Sequence, residues 1–458
     1  MIQNVSIIGL GKLGASMVAG MASRGFNVIG VDINERAVEA LNNGQAPVQE
    51  TGLAEMIHEN RSRISATLSH DEAVAKSDIS FVIVPTPSDD RGAFSIQYAA
   101  YAFRALGKAL KKKNGYHVIV LTSTVLPGST RYGLLPILEE ESGKKCGPDF
   151  GLCYSPEFIA LGTVIRDFLN PDFYLVGEFD TRSGDTLESV NQRVALNHAP
   201  SKRMSLENAE LAKIAVNSFV TMKISFANTL ASLCERIPGG NVDVVSDAIG
   251  MDKRIGRRYL TGGFGFGGPC FPRDNVAMNF LGGLVGENTE LLATNDKFNR
   301  SLSQRAVEKL ASYLKPGATV AVLGLSYKPY SHVIEESPGI FLAKTLADHG
   351  YRVVGYDPLA GEPSRQALGN HALVLDSLES CLEQGDIFLL VNPDPVFKNL
   401  SAADFVGQRE EVTVVDFWRF MENTLSNQPK VRYVPLGKCL DDETAAARLK
   451  QAWENPIH

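Results

Sequence analysis

The stretch that most constrains this chain is Gly9-Leu10-Gly11-Lys12-Leu13-Gly14, set between the apolar run Val5–Ile8 and a helix-forming segment. A short run that is apolar throughout reads as a parallel strand buried on both faces. Three glycines at this spacing, between strand and helix, supply a tight turn, an open backbone face and a close helix–strand contact. Asp32 ends the next strand, Val28–Val31. Its carboxylate can accept hydrogen bonds from an adenosine ribose and repels a 2′-phosphate, which favours NAD over NADP. The spacing predicts a dinucleotide site lined by Gly9, Gly11, Lys12, Leu13, Gly14 and Asp32, with the helix N-terminus facing the pyrophosphate. Turn chemistry alone leaves Asp32 unexplained.

Further strands are expected at Ile79–Val84 and His117–Leu121, with FGLCYSPEF and FYLVGE closing the same sheet. Residues 205–236 have helical periodicity and no internal Gly or Pro, and read as one long helix ended near Pro238-Gly239-Gly240. A second strand–helix–strand series starts near Lys315: GATVAVLGLSYK, GIFLAKTLADHG, YRVVGYDP, DIFLLVN and EVTVVDFW, without a Gly-x-Gly-x-x-Gly. The expected fold class is α/β, with two Rossmann-like doubly wound domains joined by a long central helix and a helical middle domain. The expected boundaries are 1–200, 201–312 and 313–458. A long helix between domains is a natural dimer surface, so a homodimer or higher homo-oligomer is expected.

Composition excludes few functions. The chain has 458 residues, 44% hydrophobic and 21% charged, with a net charge of −7, as in an ordinary soluble protein that does not bind nucleic acid broadly. No apolar run reaches the roughly 18 residues needed to span a bilayer, so no membrane partner is expected. No basic segment leads into an apolar one at the start, and a cytoplasmic location is expected. The six cysteines are scattered without a C-x-x-C, which predicts neither a metal site nor a disulfide framework.

Cys270 stands apart, in GFGFGGPCFPRD at 263–274. It can be a core residue, a metal ligand or an exposed thiol. It has no ligand partners nearby in sequence, and bare backbone on one side suits an approaching substrate, which favours the thiol. Val84-Pro85-Thr86-Pro87 and Ser123-Thr124-Val125 each follow a strand, at the carboxyl edge where ligands bind in such sheets. The first reads equally well as a rigid loop.

GFGGPCFPRD, together with GLGKLG, VPTP, STVLPGS, SPEF and AKIAVN, resembles the UDP-glucose/GDP-mannose dehydrogenase family, in the same order over nearly the whole chain. SGKKCGPDFG and VLPGS are similar to the GDP-mannose branch, RIGRRYL and GFGFGGPCF to UDP-glucose 6-dehydrogenases. The motifs of UDP-N-acetylhexosamine dehydrogenases, a histidine before the cysteine and Val-Asp-Pro after it, are absent. The resemblance implies an enzyme that oxidises the C6 alcohol of a nucleotide sugar to a uronate with two NAD. UDP-glucose is the first expectation for the substrate and GDP-mannose the second. It makes Cys270 the nucleophile, through a thiohemiacetal and then a thioester. Lys213 and Asn217, one helical turn apart, then stabilise the oxygen at C6, and Glu157 handles protons and activates water. Thr124 and Asp274 position water and the lysine. On the cofactor side the resemblance adds Arg36, Val84, Pro85, Thr86, Thr124 and Arg273. On the substrate side it adds Phe158, Leu161, Arg254, Tyr259, Phe264, Gly265, Gly267 and Lys328 to Glu157, Lys213 and Asn217, with Arg254 reaching a partner subunit. Thr261–Gly267 is the loop expected around the diphosphate.

Four places depart from the family pattern. Leu161 replaces an acid, and Glu335 replaces an arginine that in the family helps hold the NAD pyrophosphate. The segment Asp416–Phe420 replaces Asp-Gly-Arg, with Arg419 one step away, and Ala37 replaces a basic residue beside Arg36. These changes fall on cofactor closure and the sugar-nucleotide lobe, and imply altered substrate or cofactor handling, or a poorly active paralogue that binds without turnover. The remaining rival is a β-hydroxyacid-type dehydrogenase, which shares the GLG start and the Lys/Asn helix but transfers one hydride and needs no cysteine.

Overall fold

The computed structural model describes residues 2–160, 162–313 and 317–454. The chain forms two compact units, Met1–Val216 and Asn217–His458.

The first unit is built on eight strands: β1 (Asn4–Ile8), β2 (Asn27–Val31), β3 (Ile64–Thr67), β4 (Ile79–Val82), β5 (Val118–Leu121), β6 (Gly151–Tyr154), β7 (Tyr174–Glu178) and β8 (Ser201–Ser205). Their order is β3-β2-β1-β4-β5-β6-β7-β8, and only β6 and β7 pair antiparallel. The order reverses between β1 and β4, which opens a crevice beyond the carboxyl ends of these strands. Alternate residues of β1 feed cores on opposite faces, Val5 and Ile7 on one and Ile8 on the other. Ser6, the buried polar residue of this strand, lies 2.6 Å from the Ser80 hydroxyl, which lies 2.8 Å from His117 Nε2. That linkage satisfies hydroxyls with no access to water. Burial pushes the His117 ring down to about 3, so it is a neutral structural partner.

The expected strand Ile79–Val84 stops at Val82, because Pro85 and Pro87 cannot continue a hydrogen-bonded ladder. The expected strand from His117 starts at Val118. β3 (ISAT) and β8 (SKRMS) are half-buried and largely polar, and carry no strong strand signal.

The unit boundary falls inside the long helix Leu206–Cys234. Gly240 lets the chain fold back over the end of this helix, since a Cβ there would meet Cys234 O at 2.0 Å. Helices Val242–Gly250, Phe271–Val285 and Glu290–Leu310 follow. Then comes an all-parallel sheet of β9 (Thr319–Leu323), β10 (Arg352–Tyr356), β11 (Leu373–Val374), β12 (Ile387–Leu390), β13 (Val412–Asp416) and β14 (Val431–Pro435), in the order β11-β10-β9-β12-β13-β14. The fold is α/β, with two Rossmann-like sheets and a helical middle region.

The second sheet repeats the nucleotide-turn geometry of the first in a form that sequence alone hides. Gly9 and Gly324 end the first strand of each sheet, both with φ +103°. A Cβ on Gly14 would meet Gly9 O at 1.8 Å, and one on Gly339 would meet Gly324 O at 2.3 Å. Asp32 accepts from Leu10 N, and Asp357 accepts from Leu325 N and Ser326 N. The second glycine pair is separated by a long insertion, so no Gly-x-Gly-x-x-Gly is readable there. The two acids also differ. Asp357 is buried and accepts from Leu359 N and Ala360 N as well, which commits both oxygens internally. Asp32 is partly exposed and accepts one amide on each oxygen, from Leu10 and Asn34. It therefore keeps acceptor capacity for a ribose.

Candidate active site

In the first unit the carboxyl edge collects the residues expected around NAD. Gly9 packs so tightly that a Cβ would lie 2.1 Å from Ile83 O, whereas a Cβ on Gly11 would meet nothing within 4 Å. The smallness of Gly11 has no explanation within the protein, and fits a ligand backed against bare chain. Lys12 and Leu13 open the first helix, Lys12–Ser23, partly exposed. Arg36 is exposed in the first turn of helix Glu35–Asn42, while Ala37 faces the core. An NAD molecule fits these residues: an open glycine face at a helix N-terminus, beside a carboxylate with spare acceptors.

Two turns at the same edge are stapled together. Val84 N donates to Ser123 Oγ at 2.9 Å, and the Ser123 hydroxyl donates back to Val84 O at 2.7 Å. Thr86 Oγ1 donates to Thr124 O at 2.7 Å. The hydroxyls of Ser123 and Thr86 are thus structural, Val84 and Pro85 are held by them, and the partly exposed Thr124 hydroxyl has no hydrogen bond to another described residue.

Glu157 follows β6. The segment after it is held by carboxylates: Glu50 accepts from Gly162 N and Val164 N, each at 3.3 Å, and Asp167 from Ala160 N at 3.2 Å. Leu161 lies outside the described residues. Lys213 is buried, donates from Nζ to Glu157 O at 2.6 Å and sits 4.3 Å above the Phe158 ring. Sequence reading expects a lysine that faces substrate; here its ammonium is also the anchor of the Ser-Pro-Glu-Phe turn. Burial pushes the Glu157 carboxyl up to about 8, with the charge of Lys213 pulling the other way.

In the second unit, Cys270 is the exposed cysteine; Cys146, Cys153, Cys234 and Cys381 are buried and Cys439 is partly covered. It caps the N-terminus of helix Phe271–Val285, where first-turn amides have no upstream carbonyl to bond and the dipole favours negative charge. Asp274, 1% exposed, accepts from Asn217 Nδ2 at 2.6 Å and pairs with Arg273 at 3.5 Å. The Tyr259 ring meets Phe271 edge-on at 6.2 Å. Arg254 is highly exposed and paired with Asp252.

The glycine-rich loop is explained mostly by the protein itself. A Cβ on Gly263 would strike the Trp418 ring at 2.5 Å, on Gly265 Asn299 Oδ1 at 2.8 Å, on Gly267 Glu336 O at 2.2 Å, and on Gly268 the Tyr327 ring at 2.5 Å. Three of its amides are committed: Gly263 N to Asn228 Oδ1, Phe266 N to Asn299 Oδ1 and Gly268 N to Glu335 O. The Phe264 side chain is core, 4.6 Å from the Phe417 ring, so any ligand contact it makes is through backbone. Lys328 and Tyr327 stand beside this loop, and burial, then the charge of Cys270, push the Tyr327 phenol up to about 12. Arg419 is not available to a nucleotide: its buried guanidinium grips Asp243 at 2.8 and 2.9 Å and donates to Gly262 O and Leu436 O. Glu335 is exposed and holds Gly268 through its carbonyl.

Sequence reading missed Glu210, Asn228, Asn299 and Tyr327. Only Glu210, one turn before Lys213 on the same helix, left a positional signal. Among the described residues no group of three or more His, Cys, Asp or Glu side chains could hold a metal ion, and no helix is long and apolar enough to cross a membrane.

Three family descriptions match in order: the NAD binding domain of the UDP-glucose/GDP-mannose dehydrogenase family over residues 3–195, its central domain over 207–301 and its UDP binding domain over 321–423. The chain is 35% identical over 414 residues to the UDP-glucose 6-dehydrogenase AglM of Haloferax volcanii, covering 90% of this chain and 95% of that protein. It is 33% identical over 434 residues to a GDP-mannose 6-dehydrogenase of Pseudomonas syringae pv. tomato, covering 92% and 97%. The solved structure of a UDP-glucose dehydrogenase from Pyrobaculum islandicum superposes with a TM-score of 0.85 at 33% identity, covering 96% of this chain and 98% of that one. With the open glycine face and Asp32 in its first unit and the exposed Cys270 in its second, the chain belongs to the UDP-glucose/GDP-mannose dehydrogenase family of NAD-dependent nucleotide-sugar 6-dehydrogenases.

Proposed function

We propose that this protein oxidises the C6 alcohol of UDP-glucose to the uronate through a thioester on Cys270. The observation that carries the reading is the exposed thiol of Cys270 at a helix N-terminus, four residues before the buried Asp274, which accepts from Asn217. Gly9, Gly11, Gly14, Asp32 and Thr124 hold NAD, with Arg273 as a further contact. Bound there, NAD supplies the hydride acceptor, twice for each alcohol taken to a carboxylate. The Cys270 thiolate adds to the C6 aldehyde and forms a C–S bond, and the carbonyl oxygen takes the electron pair. The Lys213 ammonium and the second N–H of the Asn217 amide neutralise that oxygen. After the thiohemiacetal has lost its hydride, water attacks the thioester, Glu157 takes the proton of that water, and the C–S bond breaks to return the thiolate. Arg254, Tyr259, Lys328 and the backbone of Phe264, Gly265 and Gly267 hold the nucleotide sugar. Phe158 completes the sugar side.

In this reading residues 1–200 carry the cofactor, 201–312 the catalytic helix and thiol, and 313–458 the nucleotide. The protein works in the cytoplasm as a homo-oligomer. Phe219, Phe226 and Leu233 support the last point: they recur every seven residues on the long helix, each at least half exposed.

The test is the number of NADH formed per sugar consumed, with UDP-glucose and with GDP-mannose. Two per UDP-glucose is the expected result. Two per GDP-mannose and none with UDP-glucose moves the substrate to the second relative's sugar. One per sugar removes Cys270 from the mechanism, as does a Cys270→Ser protein that still makes uronate at the parent rate.

A further inference from the structure

Glu210 lies on the long helix, three positions before Lys213, and is 0% exposed. Among the described residues its carboxylate makes no ion pair. Instead Oε2 accepts from Gly128 N at 2.6 Å and Oε1 from Thr130 N at 2.8 Å. Charge-assisted bonds of this length, in a site closed to water, are among the stronger local restraints a fold can make. The two amides lie at the far end of the segment that starts at Thr124: Gly128 is the N-cap of helix Ser129–Leu134 and Thr130 its second residue. The other end of that segment is held by Ser123 on Val84 and by Thr86 on Thr124 O. The segment from Ser123 to Thr130 is therefore fastened at both ends. One end is fixed to the sheet, and the other to the helix that carries Lys213.

Burial raises the carboxyl of Glu210, opposed by these amide bonds, so the fold keeps an expensive group where an apolar side chain would fill the same space. Its neighbour Glu207, one turn earlier, is satisfied by Arg131. Glu210 also supplies negative charge at the N-terminus of helix Ser129–Leu134, so one carboxylate holds both that helix and the end of the Thr124 segment.

We propose that Glu210 is a positioning residue, which fixes the Thr124 turn to the Lys213 helix and so sets the spacing between the hydroxyl at the cofactor and the ammonium at the sugar. The inference rests on the function proposed above, and the test separates the two. In Glu210→Gln one oxygen still accepts an amide, while the new NH2 group faces the other amide as donor against donor. The readouts are NADH binding by fluorescence titration and steady-state kinetics, with far-UV circular dichroism to confirm folding. Expected are NADH binding weakened about tenfold and kcat lowered on the order of 10²-fold, the size of loss that misplacement by about 1 Å produces, with KM for the nucleotide sugar within about twofold. Glu210→Asp, which keeps the charge but falls one methylene short, is expected to lie between. Glu139→Gln is the control, because Glu139 also accepts a backbone amide, that of Cys146, away from the turn. It should leave NADH binding unchanged. A folded Glu210→Gln protein with parent NADH affinity and kcat overturns the positioning role. If that variant does not fold, parent-like binding and turnover in Glu210→Asp overturn it equally. A parent protein that binds no NADH overturns the functional reading and this inference with it.

Discussion

Asn217 donates from Nδ2 to Asp274 Oδ2 across 2.6 Å, joining the long helix to the first turn of the helix that Cys270 caps. Asp274 is 1% exposed, so its charge depends on donors such as this one. An amide has two N–H groups. With one on Asp274, the other is the one that the proposed mechanism assigns to the oxygen at C6. Asn217→Ala should lower stability by about 1–3 kcal/mol, the cost of removing a donor from a buried carboxylate, and should lower kcat as well. Asp274→Asn can still accept the Asn217 hydrogen bond, so it should lose activity with a smaller fall in stability. Urea midpoints and kcat for both variants check this. Parent values for Asn217→Ala in both assays would mean that the pair is idle.

In the proposed mechanism Glu157 sets the pH dependence. Its carboxyl is raised from 4.5 to about 8 by burial. Below pH 8 it is mostly protonated and cannot take a proton from water, so thioester hydrolysis should rise with pH through about 8 and then level. Glu157→Gln should flatten that limb. The stability effect has the opposite sign. A carboxyl raised on folding binds more protons folded than unfolded, so this group's contribution is complete below about 4.5 and is lost as pH rises through 8. The difference in stability between the parent and Glu157→Gln should shift against the parent over that window. A parent kcat profile with no inflection between pH 6 and 9 would contradict the assignment.

The Phe219, Phe226 and Leu233 stripe makes a separate claim. Three large apolar side chains at heptad spacing on one exposed face fit a second copy of the chain. Covering what remains exposed of each is worth roughly 1–1.5 kcal/mol, about half the value for a whole side chain. Phe226→Glu should shift the mass measured by light scattering toward the monomer and leave the helical circular dichroism signal intact. An unchanged mass would place the contact elsewhere.

Much of the fold was legible because its signals are local. Apolar runs, the glycine turn and the long uninterrupted helix each follow from residues adjacent in sequence. β3 and β8 were not legible, because their neighbours in the sheet, not their own side chains, make them strands. The second nucleotide-like turn was hidden for a related reason: Gly324 and Gly339 meet in space only after a long insertion. At the site, Cys270 was legible as an exposed thiol, and Asp32 as an acid with spare acceptors. The loop Thr261–Gly267 reads from sequence as ligand backbone, and the structure adds a second reason for its glycines: Gly263, Gly265 and Gly267 lie against Trp418, Asn299 and Glu336. No local pattern announces partners so distant in the chain. Arg419 is the same case in reverse, a cation near a ligand motif whose guanidinium is committed to Asp243.

The three glycines of the first turn can be separated by experiment, because the structure gives them different reasons to be glycine. A Cβ at Gly14 would lie 1.8 Å from Gly9 O, and one at Gly9 would lie 2.1 Å from Ile83 O on a backbone with φ +103°. Alanine at either position should destabilise the free protein by about 1–3 kcal/mol or more, since backbone cannot move aside cheaply. Gly11 has φ −69° and ψ −169°, which alanine adopts without strain, and open space where its Cβ would point. Gly11→Ala should leave the free protein as stable as the parent or about 0.4–1 kcal/mol more so, by restricting the unfolded chain. The same methyl would stand where the pyrophosphate approaches, so NADH affinity should fall at least about tenfold, the loss expected when close backbone approach is blocked. Thermal melts with and without NADH give both quantities in one experiment. A Gly11→Ala protein that melts like the parent alone and gains much less from NADH is the expected result. Equal gains from NADH in the two proteins would show that the cofactor does not lie against Gly11.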